Sequence, residues 1–249
     1  MKKVYAITLG FARPEIISNT IFHYYRTRMH LETKHLIIDQ HYPLPSELEC
    51  TKNLLRLCME REMQYYDPGV NLGLAKGINF ALSKIPDLKN SIVIGYDPDV
   101  VPVTPGWDVA LIQCLRLYPE VAWASLGNDF SEREMRERSY TEKLTELGVL
   151  YYVNRPVLNS ICAWDGAWLA EVGGITEHNA YYGGLETHMF PKLVNRKWAF
   201  IKDYREIRNE ATQGAEDSDY HKYKMDHAHH GKWPGDFKSW LDFRKTNGK

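Results

Sequence analysis

NLGLAKGINFALSKIPDLKNSIVIGYDPD, residues 71–99, decides the fold class. Leu74, Ile78, Ala81 and Leu82 fall on one face of a helix expected over 71–83. Ser91-Ile92-Val93-Ile94-Gly95 is short, apolar and β-branched, as a strand covered on both faces must be, and it leads to Asp97. A helix feeding a buried strand that ends in acids is one step of a parallel sheet with crossover helices.

Upstream the step recurs. Residues 4–9 form a first strand, and Pro14 opens a helix with Ile16, Ile17, Thr20, Ile21 and Tyr24 on one face. His35-Leu36-Ile37-Ile38 is a second strand ending at Asp39, and Leu48, Leu54, Leu55, Leu57 and Cys58 lie on a second helix. Met63-Gln64-Tyr65-Tyr66 is a weaker third strand. The strands return at intervals of about 30 residues, the length of a βαβ unit. Ligands bind beyond the carboxyl ends of such strands, so residues 8–13, Asp39, 67–71 and 97–99 are the ones to read for chemistry. Downstream, Pro105-Gly106 precedes a helix over 107–118, and 121–125, 149–153, 157–163 and 198–201 read as strands. Residues 131–147, SEREMRERSYTEKLTEL, read as a strongly charged helix, either a solvated face or a flap. A last helix is expected over 185–195.

The 249 residues are 44% hydrophobic and 25% charged, with a net charge of −1. That apolar content excludes wholesale disorder, and near-neutrality gives no broad footprint for nucleic acid or an anionic membrane. Cys50, Cys58, Cys114 and Cys162 form no CxxC pair and sit among apolar neighbours, as free thiols of a reducing compartment do. Met1-Lys2-Lys3 has the charge of a leader, but the apolar run stops at Gly10, short of the ~18 residues that span a bilayer. A soluble, cytoplasmic protein is expected.

Asp97-Pro98-Asp99 carries the chemistry. In an extended stretch its two carboxylates would point to opposite sides, one to a ribose and one to a metal. Mg²⁺ or Mn²⁺ accepts carboxylate and phosphate oxygens together, and neutralising a diphosphate leaving group is the main electrostatic demand of sugar transfer from a nucleoside diphosphate. An Asp-Pro step also favours an ordinary turn.

The chain resembles the GT-A fold glycosyltransferases, in particular the family 2-like enzymes, at points in the expected order over roughly residues 3–200. Tyr5-Ala6-Ile7-Thr8 with Arg13-Pro14 looks like the first strand and nucleotide loop, and Ile37-Ile38-Asp39 like the second strand, whose terminal Asp contacts the base. Residues 71–79, NLGLAKGIN, resemble the helix before the metal strand, and Asp97-Pro98-Asp99 with Pro105-Gly106-Trp107 the metal motif and the helix after it. Val172-Gly173-Gly174-Ile175-Thr176-Glu177 and Tyr182-Gly183-Gly184-Leu185-Glu186-Thr187 resemble the acceptor segment. Glu186 then stands where the general base toward the acceptor hydroxyl is expected, and Leu185 departs from the pattern by replacing an acid.

The resemblance implies a single Rossmann-like α/β domain with a mostly parallel sheet flanked by helices. It would occupy residues 1–210, a nucleotide-sugar-binding half over 1–100 and an acceptor half over 101–210, with 211–249 packed on it as a tail. It also implies that a C-terminal histidine completes the metal shell; His227 and His229 lie on one side of an extended chain. Candidate nucleotide-sugar contacts are Thr8, Arg13, Asp39, Asn71, Lys76, Asn79, Asp97 and Trp164; candidate metal ligands are Asp97, Asp99, His227 and His229. Asn71 equally suits a helix N-cap, Lys76 solvent, Glu186 a favourable helix N-terminus, and Trp164 a packed core. No GxGxxG or GxxxxGK[ST] is present, against a dehydrogenase or P-loop ATPase. The function expected is metal-dependent transfer from a nucleoside-diphosphate sugar, a UDP-sugar first, to an acceptor hydroxyl, with inversion. The alternatives are a nucleotidyltransferase acting on sugar-phosphates and a non-catalytic sugar-binding relative. The acceptor could be a saccharide, a lipid-linked group or a modified nucleic-acid base.

Overall fold

The computed structural model describes residues 2–10, 14–40, 47–127, 140–154, 156, 160–177 and 185–208. The first half follows the expected alternation: β1 (Lys3–Gly10), α1 (Pro14–Thr27), β2 (Lys34–Asp39), α2 (Glu47–Glu60), β3 (Gln64–Tyr66), α3 (Gly73–Leu82), β4 (Ser91–Tyr96) and β5 (Val100–Pro102). The second half contains α4 (Trp107–Leu117), β6 (Val121–Gly127), β7 (Tyr140–Thr145), β8 (Gly148–Val153), β9 (Ile161–Asp165), α5 (Gly166–Glu171), α6 (Leu185–Met189) and β10 (Lys197–Arg208).

The sheet runs β3-β2-β1-β4-β9-β6-β10-β8-β7, with β5 paired to β10. β3, β2, β1 and β4 are mutually parallel, and β6 is parallel to β10. β9 lies between β4 and β6 and runs against both, and β8 runs against β10 and β7. Most strands thus share one direction; β9, β8 and the short β5, which runs against β10, are the reversals. The first two crossovers step outward from β1 to β3, and the third steps back to β4. With right-handed connections that puts α3 on the face opposite α1 and α2.

The core divides accordingly. Along β1, Val4 and Ala6 pack with Tyr24 of α1 and the α4 residues Ala110 and Leu111, while Tyr5 and Ile7 pack with Ala75, Ile78 and Ala81 of α3. This is the period-two alternation of a strand covered on both sides. α2 adds Leu54 and Cys58 to Ile17, Ile21 and Ile37. α4 is fixed at its start by a buried acid: Asp108 accepts the amides of Met29 (2.9 and 3.1 Å) and His30 (2.8 Å), which satisfies a carboxylate with no exposed surface. Cys58, Cys114 and Cys162 are buried free thiols, and burial pushes the Cys58 and Cys114 thiols up to about 12.

Three expectations need correction. Residues 140–147 belong to a β-hairpin, not a helix: β7 pairs with β8 from Tyr140↔Val153 to Thr145↔Gly148, closing on Gly148 at φ +88°. Among the described residues β7 is the last strand of the sheet and Thr141–Leu144 are exposed, so its charges suit a sheet edge, whereas a helix would need an apolar stripe. Residues 131–139 lie outside the described residues. The last helix is shorter than 185–195, because Pro191 enters after α6 and the chain tightens into a 3₁₀ turn, Phe190–Leu193. Of the strand expected over 157–163, residues 157–159 lie outside the described residues, and the strand described runs Ile161–Asp165.

Candidate functional site

The register of the parallel strands brings three candidate segments to one end of the sheet. Gly10 at the end of β1 lies opposite Asp39 at the end of β2, and the Gln40 amide donates to Gly10 O at 2.7 Å. β4 ends beside them and continues into Asp97-Pro98-Asp99. This segment is a turn and not an extended stretch: Val100 N–H donates to Asp97 O at 3.2 Å. Pro98 occupies the position its fixed φ favours. The turn is held from two sides, by Asp97 N–H to Ser160 O at 3.0 Å and by the Thr20 hydroxyl of α1 to Pro98 O at 2.7 Å. Asp97 and Asp99 are both half-buried.

Asp39 is buried, and its Oδ2 accepts from Thr51 Oγ1 at 2.8 Å and Tyr65 OH at 2.7 Å. Gln40 governs the neighbouring wall. Its Oε1 accepts from Leu72 N–H at 2.8 Å and its Nε2 donates to Gly73 O at 3.2 Å, so one buried amide grips the amino end of α3. Gly77 makes room for it; a Cβ there would stand 2.0 Å from Gln40 Nε2. Asn71 Oδ1 accepts from Gly73 N–H at 2.8 Å, an Asx turn that starts the helix. Lys76 is exposed on α3.

Thr8 and Trp164, two of the expected nucleotide-sugar contacts, are buried, and Asn79 is bonded within the fold. Thr8 has no exposed surface; its hydroxyl and that of Tyr96 each lie 2.8 Å from His35 Nε2. Burial pushes the His35 imidazole down to about 3, so it is neutral. Trp164 is 3% exposed, packed edge-on to Trp123, and its ring covers Gly95, where a Cβ would come within 2.5 Å. That ring has no face for a sugar. Asn79 is bonded to the backbone of Ile175 in the second half of the chain. Glu186 is half-buried in the first turn of α6, and Leu185 before it goes into the core, which explains an apolar residue where an acid was expected. Arg13, Gly183, Gly184, His227 and His229 lie outside the described residues.

Thr20 and Gln40 were not singled out from sequence. Thr20 fell in the apolar stripe of α1, and Gln40 was masked by Asp39 before it; its place just past a strand end was the available signal.

No protein-family model and no curated protein sequence matches the chain. Solved structures do match its fold. The mannosyltransferase PcManGT from Pyrobaculum calidifontis, determined with GDP-Man and Mn²⁺, matches over 81% of this chain and 54% of its own, with TM-score 0.62 and 13% identity. GalNAc-T7, determined with UDP, GalNAc and Mn²⁺, matches over 99% of this chain and 54% of its own, with TM-score 0.64 and 13% identity. TarS residues 1–349 from S. aureus match over 81% and 59%, with TM-score 0.54 and 11% identity. The chain spans between about half and three fifths of the length of these structures. The architecture is the GT-A fold. Among the described residues no helix is long and apolar enough to cross a membrane.

Proposed function

We propose that the protein is a metal-dependent glycosyltransferase moving a sugar from a nucleoside-diphosphate sugar, a UDP-sugar first, to an acceptor hydroxyl with inversion. The observation that carries this reading is the Asp97–Asp99 turn at the carboxyl end of β4, beside the ends of β1 and β2, in a GT-A fold. Structural neighbours determined with GDP-Man and Mn²⁺, or with UDP and Mn²⁺, support it.

Two carboxylates on one short turn offer hard oxygen donors that suit Mn²⁺ or Mg²⁺ and leave positions for diphosphate oxygens. Among the described residues no cluster of three His, Cys, Asp or Glu gathers, so the remaining ligands would come from the donor, water, or His227 or His229. When bound, such an ion neutralises charge on the diphosphate leaving group. In this reading Asp99 holds the ion, Asp97 is shared between ion and ribose, Asp39 marks the base end, and Arg13 and Lys76 serve the nucleotide or its phosphates. Glu186 takes the proton of the attacking hydroxyl, and a single in-line displacement inverts the anomeric centre. Residues 1–100 form the donor half and 101–210 the acceptor half, with a saccharide or lipid-linked hydroxyl the leading acceptor class.

A thermal-shift panel of nucleoside-diphosphate sugars with Mn²⁺ tests the reading. One donor is expected to raise Tm, since occupancy at 100 times Kd stabilises by about 2.7 kcal/mol. EDTA and Asp99→Asn should each abolish the shift. If no donor moves Tm in the presence of Mn²⁺, the reading fails. Glu186→Gln should keep the shift and lose transfer; near-wild-type turnover removes Glu186 from the mechanism.

A further inference from the structure

Asn79 joins the donor-side helix to the loop before α6. Asn79 of α3 accepts the Ile175 amide on Oδ1 at 2.8 Å and donates through Nδ2 to Ile175 O at 2.9 Å. A primary amide is suited to this, since it offers donor and acceptor from one planar group. The same Nδ2 reaches Glu177 Oε1 at 3.3 Å. The loop is shaped for the contact: Gly173 and Gly174 adopt φ +76° and +83°, and a Cβ on Gly174 would stand 2.6 Å from Asn79 Oδ1. Ile175 itself is buried in the core.

The next residue carries the connection on. Thr176 donates its amide to Met189 Sδ at 3.1 Å, and its hydroxyl lies 3.5 Å from Met189 Sδ and from His188 O. His188 and Met189 belong to α6, whose first turn holds Glu186. Three consecutive contacts, Asn79 to Ile175, Ile175 to Thr176 and Thr176 to α6, therefore span from the donor-side helix to the candidate base.

We infer that Asn79 is a positioning residue: it fixes the Gly173-Gly174-Ile175-Thr176 loop on α3 and through it sets the placement of α6. The role assigned to Glu186 and the nucleotide and turnover arms of the test rest on the glycosyltransferase reading; the positioning itself does not. Aspartate cannot replace Asn79, because it would accept from Ile175 N–H but set a carboxylate against Ile175 O and near Glu177.

The test uses the full chain as wild type, Asn79→Asp and Thr176→Val, with amide hydrogen exchange read by peptide and UDP plus Mn²⁺ binding read by calorimetry. Asn79→Asp should lose protection over 173–177 and over 185–193. Thr176→Val, which removes the hydroxyl but keeps the amide contact to Met189 Sδ, should lower protection over 185–193 less than Asn79→Asp does, while 173–175 stays protected. Both variants should bind UDP with Mn²⁺ within about twofold of wild type. Where transfer is measurable, Asn79→Asp should lower kcat about tenfold to a hundredfold, as expected for a misplaced base, with donor KM unchanged. Unchanged exchange over 185–193 in both variants overturns the inference. So does a loss of UDP affinity in Asn79→Asp equal to the loss in kcat, which would make Asn79 a nucleotide contact. Wild-type protein that binds no UDP with Mn²⁺ counts against the glycosyltransferase reading alone, and the exchange result still decides the clamp.

Discussion

Replacing Gly77 by alanine sets two effects against each other. Gly77 lies inside α3, where alanine gains about 1 kcal/mol of helix propensity over glycine. Against this, the added methyl would meet Gln40 Nε2 at 2.0 Å and Gln40 Cδ and Leu9 Cδ1 at 3.2 Å. If Gln40 stays, the overpacked contact costs about 1–3 kcal/mol. If it swings away, its bonds to Leu72 N and Gly73 O are lost at about 1 kcal/mol each, more where the backbone groups are left unsatisfied. These costs are alternatives, so the cheaper one applies and Gly77→Ala should lower stability by a net of roughly 0–2 kcal/mol after the propensity gain. Urea denaturation monitored by tryptophan fluorescence measures it, with unchanged m showing that compactness is preserved. In a Gln40→Ala background only the 3.2 Å approach to Leu9 Cδ1 is left, and Gly77→Ala should then be neutral to stabilising, by up to about 1 kcal/mol. A Gly77→Ala single variant more stable than wild type would refute the reasoning, since Gln40 would then not be held where its bonds place it.

Gly166→Ala should cost at least about 3 kcal/mol in the same assay, because its Cβ would stand 2.0 Å from Leu88 O and 2.7 Å from Ser91 O, backbone atoms that cannot rotate away; near-wild-type stability would show that the α5 start is not so confined. His35 is neutral in the fold, held down to about 3, whereas in the unfolded chain it takes a proton near pH 6.5. Below about pH 6.5 the unfolded state binds one more proton, so stability should fall as pH falls, by up to about 1.4 kcal/mol per unit until about pH 3, with no loss at neutral pH. His35→Gln should flatten that slope between pH 6 and 4, and equal slopes in variant and wild type would contradict the burial argument.

The parallel half was legible because each strand is an uninterrupted apolar run and each helix keeps a stripe; Ile17, Ile21 and Tyr24 are as buried as their spacing required. The reversal of β9 was not legible, since Ile161–Asp165 reads the same in either direction and only its neighbours decide its sense. β7 misled because an edge strand wet on both sides has no alternation to display. At the site, the Asp97–Asp99 turn was found from its place after a strand. Thr8, Asn79 and Trp164 were polar or aromatic residues in the right segments whose partners, His35, Ile175 and Gly95, are distant in sequence; long-range pairing of this kind leaves no local trace.

The position of β9 bears on how the protein is made. β3, β2, β1 and β4 are complete once residue 96 has been synthesised, and all their mutual pairings lie within that stretch. The outer edge of β4 then waits for a strand about 65 residues further on, while β6, made earlier, has no place beside it. At about 5–20 residues per second the nascent chain carries that open apolar edge for roughly 3–13 s. Such an edge templates pairing with other chains, so a ribosome stalled between β4 and β9 would release an aggregation-prone product. Isolating the donor half as a soluble fragment would require β9 to be supplied as well.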